Sequence, residues 1–140
     1  MASKTRDGGC MCGSVRLTLT GEPISVGLCH CRDCQKQTGS AFSMVALVPT
    51  AAVTIQGTMA VVKTIAASGK ITQRSFCPQC GSPIVSDTEG TRAHGITILK
   101  AGLFDDTSWL KPSVQIFCDN AQAWMPALDL IPGFPRMPPA

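Results

Sequence analysis

Seven of the eight cysteines in this 140-residue chain fall into three tight groups. Cys10 and Cys12 form C-x-C, Cys29, Cys31 and Cys34 form C-x-C-x-x-C, Cys77 and Cys80 form C-P-Q-C-G, and Cys118 stands alone. Sulfurs at such spacing serve a metal, a redox relay or a disulfide staple. The stretch MASKTRDGGC lacks the apolar core of a secretory signal, so the expected setting is a reducing cytoplasm, where clustered thiols are metal ligands. The pair at 77–80 constrains the fold most. A C-x-x-C turn followed by glycine points backbone amides at both sulfurs and supplies two of the four ligands of tetrahedral zinc. Cys10 and Cys12, just before a strand, can complete the set and tie the N-terminal region to the middle of the chain. Zinc closed by four thiolates has no position for substrate, so this site reads as structural.

The remaining group is one ligand short. Zinc with three protein ligands and an open position is the common catalytic arrangement, and a thiolate-rich zinc suits an incoming sulfur. A substrate thiol bound there would lose its proton near neutral pH and become a nucleophile. Spacing alone leaves open whether Cys29, Cys31 and Cys34 hold a catalytic or a structural metal. The alternative turns on Cys118. As a fourth ligand it closes the site; as a small apolar residue ending a strand it does not. His30, between two ligands, reads either as a proton carrier beside the site or as a structural side chain. His94 reads as solvated, Trp109 and Trp124 as packing residues, and Asp105 and Asp106 as turn residues rather than an acid–base pair.

Charge and composition narrow the partners. The formal net charge is +3, but seven thiolates on two zinc ions would bring it to about zero. The 12 Lys and Arg are scattered, and five Phe, two Trp and no Tyr offer few stacking platforms, which argues against nucleic acid. No apolar run approaches the roughly 18 residues that span a bilayer, so no membrane contact is expected. No pattern sets the oligomeric state.

The chain reads as mainly β. SVRLTLT alternates Val15, Leu17 and Leu19 against Arg16, Thr18 and Thr20, the pattern of a half-buried strand. Further strands are expected at 41–49, 52–57, 59–66, 71–76, 95–102 and 113–118, with the turn ASGK between two of them. One short helix is expected at 32–40, stopped by Gly39, and a second at 119–125. Residues 1–7 and the proline-rich 134–140 read as loose tails around a single domain at 8–133.

The segments GGCMCGSVRL, CHCRDCQKQTGSAF, RSFCPQCGSPI and LKAGLFDD, with PSVQIF and a later Trp, resemble in order and spacing the glutathione-dependent formaldehyde-activating enzyme family. The resemblance implies the β-tent fold, a zinc-braced pair of β-sheets with one or two short helices. It also implies two zinc ions per chain: a structural one on Cys10, Cys12, Cys77 and Cys80, and a more labile, catalytic one on Cys29, Cys31 and Cys34, with the motif histidine at His30. The implied activity is that of a carbon–sulfur lyase resembling S-(hydroxymethyl)glutathione synthase, in which glutathione or another thiol adds to a small carbonyl or imine. Two positions depart from the pattern: Gln115 stands where many members carry His, and Cys118 is not a family position. Arg32, Lys36, Arg74 and Lys100 are candidates for holding substrate carboxylates by charge alone. The competing class is a non-catalytic module with two structural zincs that binds a protein partner.

Overall fold

The computed structural model describes residues 4–66, 68–125 and 131–139. In chain order the strands are β1 (Thr5–Gly9), β2 (Arg16–Thr20), β3 (Ser25–Cys29), β4 (Ser43–Pro49), β5 (Val53–Gln56), β6 (Ala60–Ile65), β7 (Ile71–Phe76), β8 (Pro83–Thr88), β9 (Ile96–Lys100) and β10 (Val114–Ile116). Two short helices, α1 (Arg32–Thr38) and α2 (Glu89–Ala93), accompany them. The fold is mainly β, as the strand pattern predicts. Among the described residues no helix is long and apolar enough to cross a membrane.

The strands form two sheets. One is small and antiparallel, in the order β1-β2-β5; the other has seven strands in the order β10-β3-β4-β9-β8-β7-β6. Among the described residues, β10 pairs with β3 in parallel and the other strand pairings of the large sheet are antiparallel. The alternation in β2 does what it predicts: Val15, Leu17 and Leu19 are at most 2% exposed. They share one core with Val26, Ala46, Val48, Ile84, Val85 and Leu99 of the large sheet. Burial of each of these Val, Leu and Ile side chains stabilises by about 1.5–3 kcal/mol. At the margin of this core, Phe104 packs edge-on against Trp109 with ring centroids 5.0 Å apart, and the Arg6 guanidinium lies 3.9 Å over the Trp109 ring. Trp124, expected to pack, is instead 69% exposed.

Several elements differ from the sequence reading. Residues 5–7, expected in a loose tail, belong to β1, and residues 1–3 of that tail lie outside the described residues. Backbone pairing with β2 carries this strand. Gly8 allows a neighbouring loop to close on it, since a Cβ there would sit 2.4 Å from the Leu103 carbonyl oxygen. The C-terminal tail is also engaged. Gln115 N–H donates to Pro132 O, Phe134 N–H to Gln115 O and Phe117 N–H to Arg136 O, so this segment satisfies the outer edge of β10. Residue 140 lies outside the described residues. The helix expected at 119–125 is reduced to one 3₁₀ turn at Cys118–Asn120, entered through Phe117 in the left-handed region with φ 55°.

Candidate metal centres

The N-terminal half of the first site is a turn between β1 and β2. Cys10 N–H donates to Val15 O, and Val15 N–H returns a bond to the Cys10 sulfur at 3.2 Å. The other half is the knuckle after β7, where Cys77 N–H donates to Ser82 O and Gly81 N–H to Cys77 O. A backbone donor joins the halves directly: Met11 N–H donates to Ser82 Oγ at 3.1 Å. The sulfurs of Cys10, Cys12, Cys77 and Cys80 all lie within 4.8 Å of one another. Sequence spacing did not reveal the two serines beside them. Ser14 Oγ is 3.1 Å from the Cys12 sulfur and 3.2 Å from that of Cys77, and Ser82 Oγ is 3.2 Å from that of Cys80. The Ser82 hydroxyl and backbone pull the Cys80 thiol down to about 5. Burial opposes ionisation of Cys10, but the Val15 amide and neighbouring groups outweigh it and bring that thiol down to about 7. Four converging sulfurs, two of them biased toward thiolate, suit zinc.

The second site is built where β3 runs into α1. Cys29 ends β3, and Cys31 is the N-cap of α1, its sulfur accepting from Cys34 N–H at 3.3 Å. Gly39, in the left-handed region with φ 67°, ends the helix and donates to Gln35 O, the stop expected from the sequence. The three sulfurs lie within 4.8 Å of one another. Hydrogen bonding within the trio holds the Cys31 thiol well below its ordinary value and drives that of Cys29 well above. One thiolate is thus stabilised at its neighbours' expense, so all three ionise together only with a cation to share. Their chemistry fits a metal. Cys118 belongs to neither sulfur group among the described residues.

The surroundings are polar and buried. His30, 1% exposed, places Nε2 2.9 Å from Gln115 Oε1. Its Nδ1 is buried without a hydrogen-bond partner. Gln35, also buried, donates from Nε2 to His30 O and Asn120 O, while its Oε1 accepts from Gln122 and Arg32. His30, Gln115, Cys118, Met125, Gly133 and Phe134 contribute to the wall of a cavity of about 510 Å³. Cys118 therefore lines a cavity instead of joining the sulfur trio.

Of the four basic residues picked by charge, Lys36 is exposed and Arg32 bonds Gln35. Arg74 Nη1 donates to Gln37 Oε1 at 3.0 Å. Lys100 is buried on Ser43 and does not face solvent. His94 is exposed at the end of α2, its Nδ1 2.8 Å from Gly90 O. Asp105 pairs with Arg16 at 2.7 Å, and Asp106 accepts from Ser108, both as turn residues.

A family model described as glutathione-dependent formaldehyde-activating enzyme matches residues 5–120. Curated relatives carry the name "Putative glutathione-dependent formaldehyde-activating enzyme". One, from Talaromyces marneffei, is 28% identical over 112 residues, covering 79% of this chain and 59% of its own length. Another, from Podospora anserina, is 30% identical over 117 residues, covering 79% of this chain and 53% of its own length. The chain therefore spans little more than half the length of these relatives. A crystal structure of a Rhodobacter sphaeroides protein superposes with a TM-score of 0.55 at 13% identity, covering 91% of this chain and 99% of that one. At that identity the likeness is one of fold.

Proposed function

The chain belongs to the glutathione-dependent formaldehyde-activating enzyme family, and from that premise we propose that it forms or breaks a carbon–sulfur bond between a small thiol and a small carbonyl. The observation that carries this reading is the sulfur count. Cys29, Cys31 and Cys34 converge without Cys118, and three ligands leave one coordination position for a reactant. The four-cysteine site, by contrast, braces the turn after β1 against the knuckle after β7. Zinc on the trio would act as a Lewis acid toward an incoming sulfur or carbonyl oxygen.

The roles of the chain's own residues follow from where they sit. Cys31 is fixed by its capping bond from Cys34 N–H, and Cys29 by the pairing of β3 with β4. The donor set is therefore preorganised on one strand end and one helix start. His30 is held by Gln115 at Nε2, with Nδ1 left as the buried atom able to take or give a proton. In the forward direction the thiol sulfur adds to the carbonyl carbon. The C–S bond forms, the carbonyl π pair moves to oxygen, and that oxygen gains the proton the thiol gave up. The product is a hemithioacetal, an S-hydroxymethyl compound when the carbonyl is formaldehyde. Holding both reactants together supplies the entropic part of the rate gain. We place this chemistry in the cytoplasm, with glutathione as the first thiol to try.

The test is direct. Zinc-loaded protein is mixed with glutathione and formaldehyde, and S-hydroxymethylglutathione is followed by NMR exchange against the uncatalysed rate. Acceleration that disappears in Cys31→Ser supports the reading. No acceleration with glutathione, other thiols, aldehydes or imines sinks it.

A further inference from the structure

Lys100, the last residue of β9, is a buried amine with no acidic partner among the described residues. It is 6% exposed, and its Nζ donates to Ser43 Oγ at 2.7 Å. Among the described residues the ion pairs are Arg6–Glu22 and Arg16–Asp105, and neither involves Lys100. Burying a charge without a counter-charge is strongly unfavourable. Either the amine sheds its proton or something else offsets the charge.

Strand register shows what. Lys100 lies across from Val45, and Ser43 lies across from Cys29. Directly opposed residues share a face, as do residues two apart on one strand. Cys29, Ser43, Val45 and Lys100 therefore line one face of the large sheet. Ala46, Val48 and Leu99 bury the opposite face in the core. Burial disfavours the charged form of Lys100, while the sulfurs of Cys34, Cys29 and Cys31 favour it and Arg74 opposes it.

We propose that Lys100 is the counter-charge of the three-cysteine centre, a positioning residue whose buried ammonium sets how tightly Cys29, Cys31 and Cys34 hold their metal. The inference rests on the reading of that trio as metal ligands. Three thiolates around a divalent cation carry one net negative charge, and the Lys100 ammonium removes it. Without the ammonium, the partly buried cluster keeps less compensation for its charge, that of Arg74 near Cys31, or keeps a proton on one sulfur and loses that ligand. Ser43 holds Nζ against the sheet, so Lys100 acts through the sulfurs and touches no reactant.

The four-cysteine site provides an internal control within the same chain. Zinc per chain is counted by native mass spectrometry as a chelator is raised, for the wild-type chain and for Lys100→Met, Lys100→Gln and Lys100→Arg. In the Met and Gln variants one zinc should leave at a chelator concentration about tenfold or more below that for wild type, with the other zinc unaffected. Lys100→Arg should stay within about threefold of wild type. Lys100→Gln keeps a donor for Ser43, so it separates charge from hydrogen bonding and carries the test if Lys100→Met does not fold. Release of the first zinc at the wild-type concentration in Lys100→Gln overturns the proposal. Equal weakening of both zincs overturns it too, because that is loss of fold and not loss of charge. A wild-type chain that binds a single zinc overturns the metal reading of the trio, and this inference with it.

Discussion

His30 Nε2 and Gln115 Oε1 lie 2.9 Å apart in the interior, joining the end of β3 to the strand that pairs with it in parallel. Gln115 Nε2 donates to Ile131 O at 3.0 Å, which fixes the orientation of its amide. The oxygen must therefore face His30, so His30 carries its proton on Nε2 and presents Nδ1 as an acceptor. A glutamine at this position sets the tautomer of the histidine between two candidate metal ligands. Gln115→Leu should leave the buried Nε2–H without a partner and destabilise the fold by about 1–3 kcal/mol. Urea unfolding measures it. An unchanged midpoint would mean the bond contributes nothing.

Ser82 gives the four-cysteine site its acid tolerance. Its hydroxyl and backbone are the first causes of the lowered Cys80 thiol, brought to about 5. A thiol lowered in the fold favours folding above its unfolded value of about 8.5 and loses that contribution as pH falls through the folded value. Ser82→Ala should raise the Cys80 thiol, so acid should release zinc from this site at a higher pH than in wild type. A zinc-release titration with a colorimetric chelator reads the two midpoints, and coincident midpoints would count against this role for Ser82. The same variant removes the acceptor of the Met11 N–H, so its melting temperature should also fall.

Much of this arrangement is legible in the sequence, and what is not has definite causes. The seven clustered cysteines stand out because ligands within one turn need only local spacing; that Cys10 and Cys12 meet Cys77 and Cys80 followed from the four-ligand count of zinc and not from spacing. β2 shows in its alternation because one face is buried and the other wet. β1, with the sequence TRDGG, has no such alternation and exists through its pairing with β2 and the close approach of Leu103 at Gly8. β3 hides because its last residue is read as part of the cysteine group. Lys100 looks like a surface cation until strand register puts it beside Ser43 and on the face of Cys29. Such neighbours are separated by tens of residues, and no local pattern reports them.

Gly57, just after β5, shows how closely that edge strand of the small sheet approaches the turn of the four-cysteine site. Its φ is 108°, and a Cβ there would stand 2.3 Å from the Ser14 carbonyl oxygen. A residue with a side chain meets both a disfavoured backbone region and a backbone clash. Gly57→Ala should destabilise the chain by at least about 1–3 kcal/mol, visible as a lowered urea midpoint. Ser14 lies against Cys12 and Cys77, so the variant should also release zinc from the four-cysteine site more readily. A variant as stable as wild type would show that β5 can draw back without disturbing the turn.

The two cysteine sites should respond differently to the same substitution. Cys77 is fully buried in the shared core, and its site ties the turn after β1 to the knuckle after β7. Structural zinc contributes on the order of 10 kcal/mol to folding, comparable with the whole stability of a domain this size. Cys77→Ser should therefore lose its cooperative melt, and a strong chelator should unfold the wild-type chain. Cys31 is only half-buried at the cap of a seven-residue helix, outside that core. Serine can take over its capping bond from Cys34 N–H. Cys31→Ser should keep its fold and one zinc per chain, and lose the other zinc together with any carbon–sulfur activity. Native mass spectrometry paired with a thermal melt of each variant reads both outcomes. Two zincs retained in Cys31→Ser would remove the trio as a metal site, and a folded, zinc-free Cys77→Ser would show that the brace between the sheets does not depend on the metal.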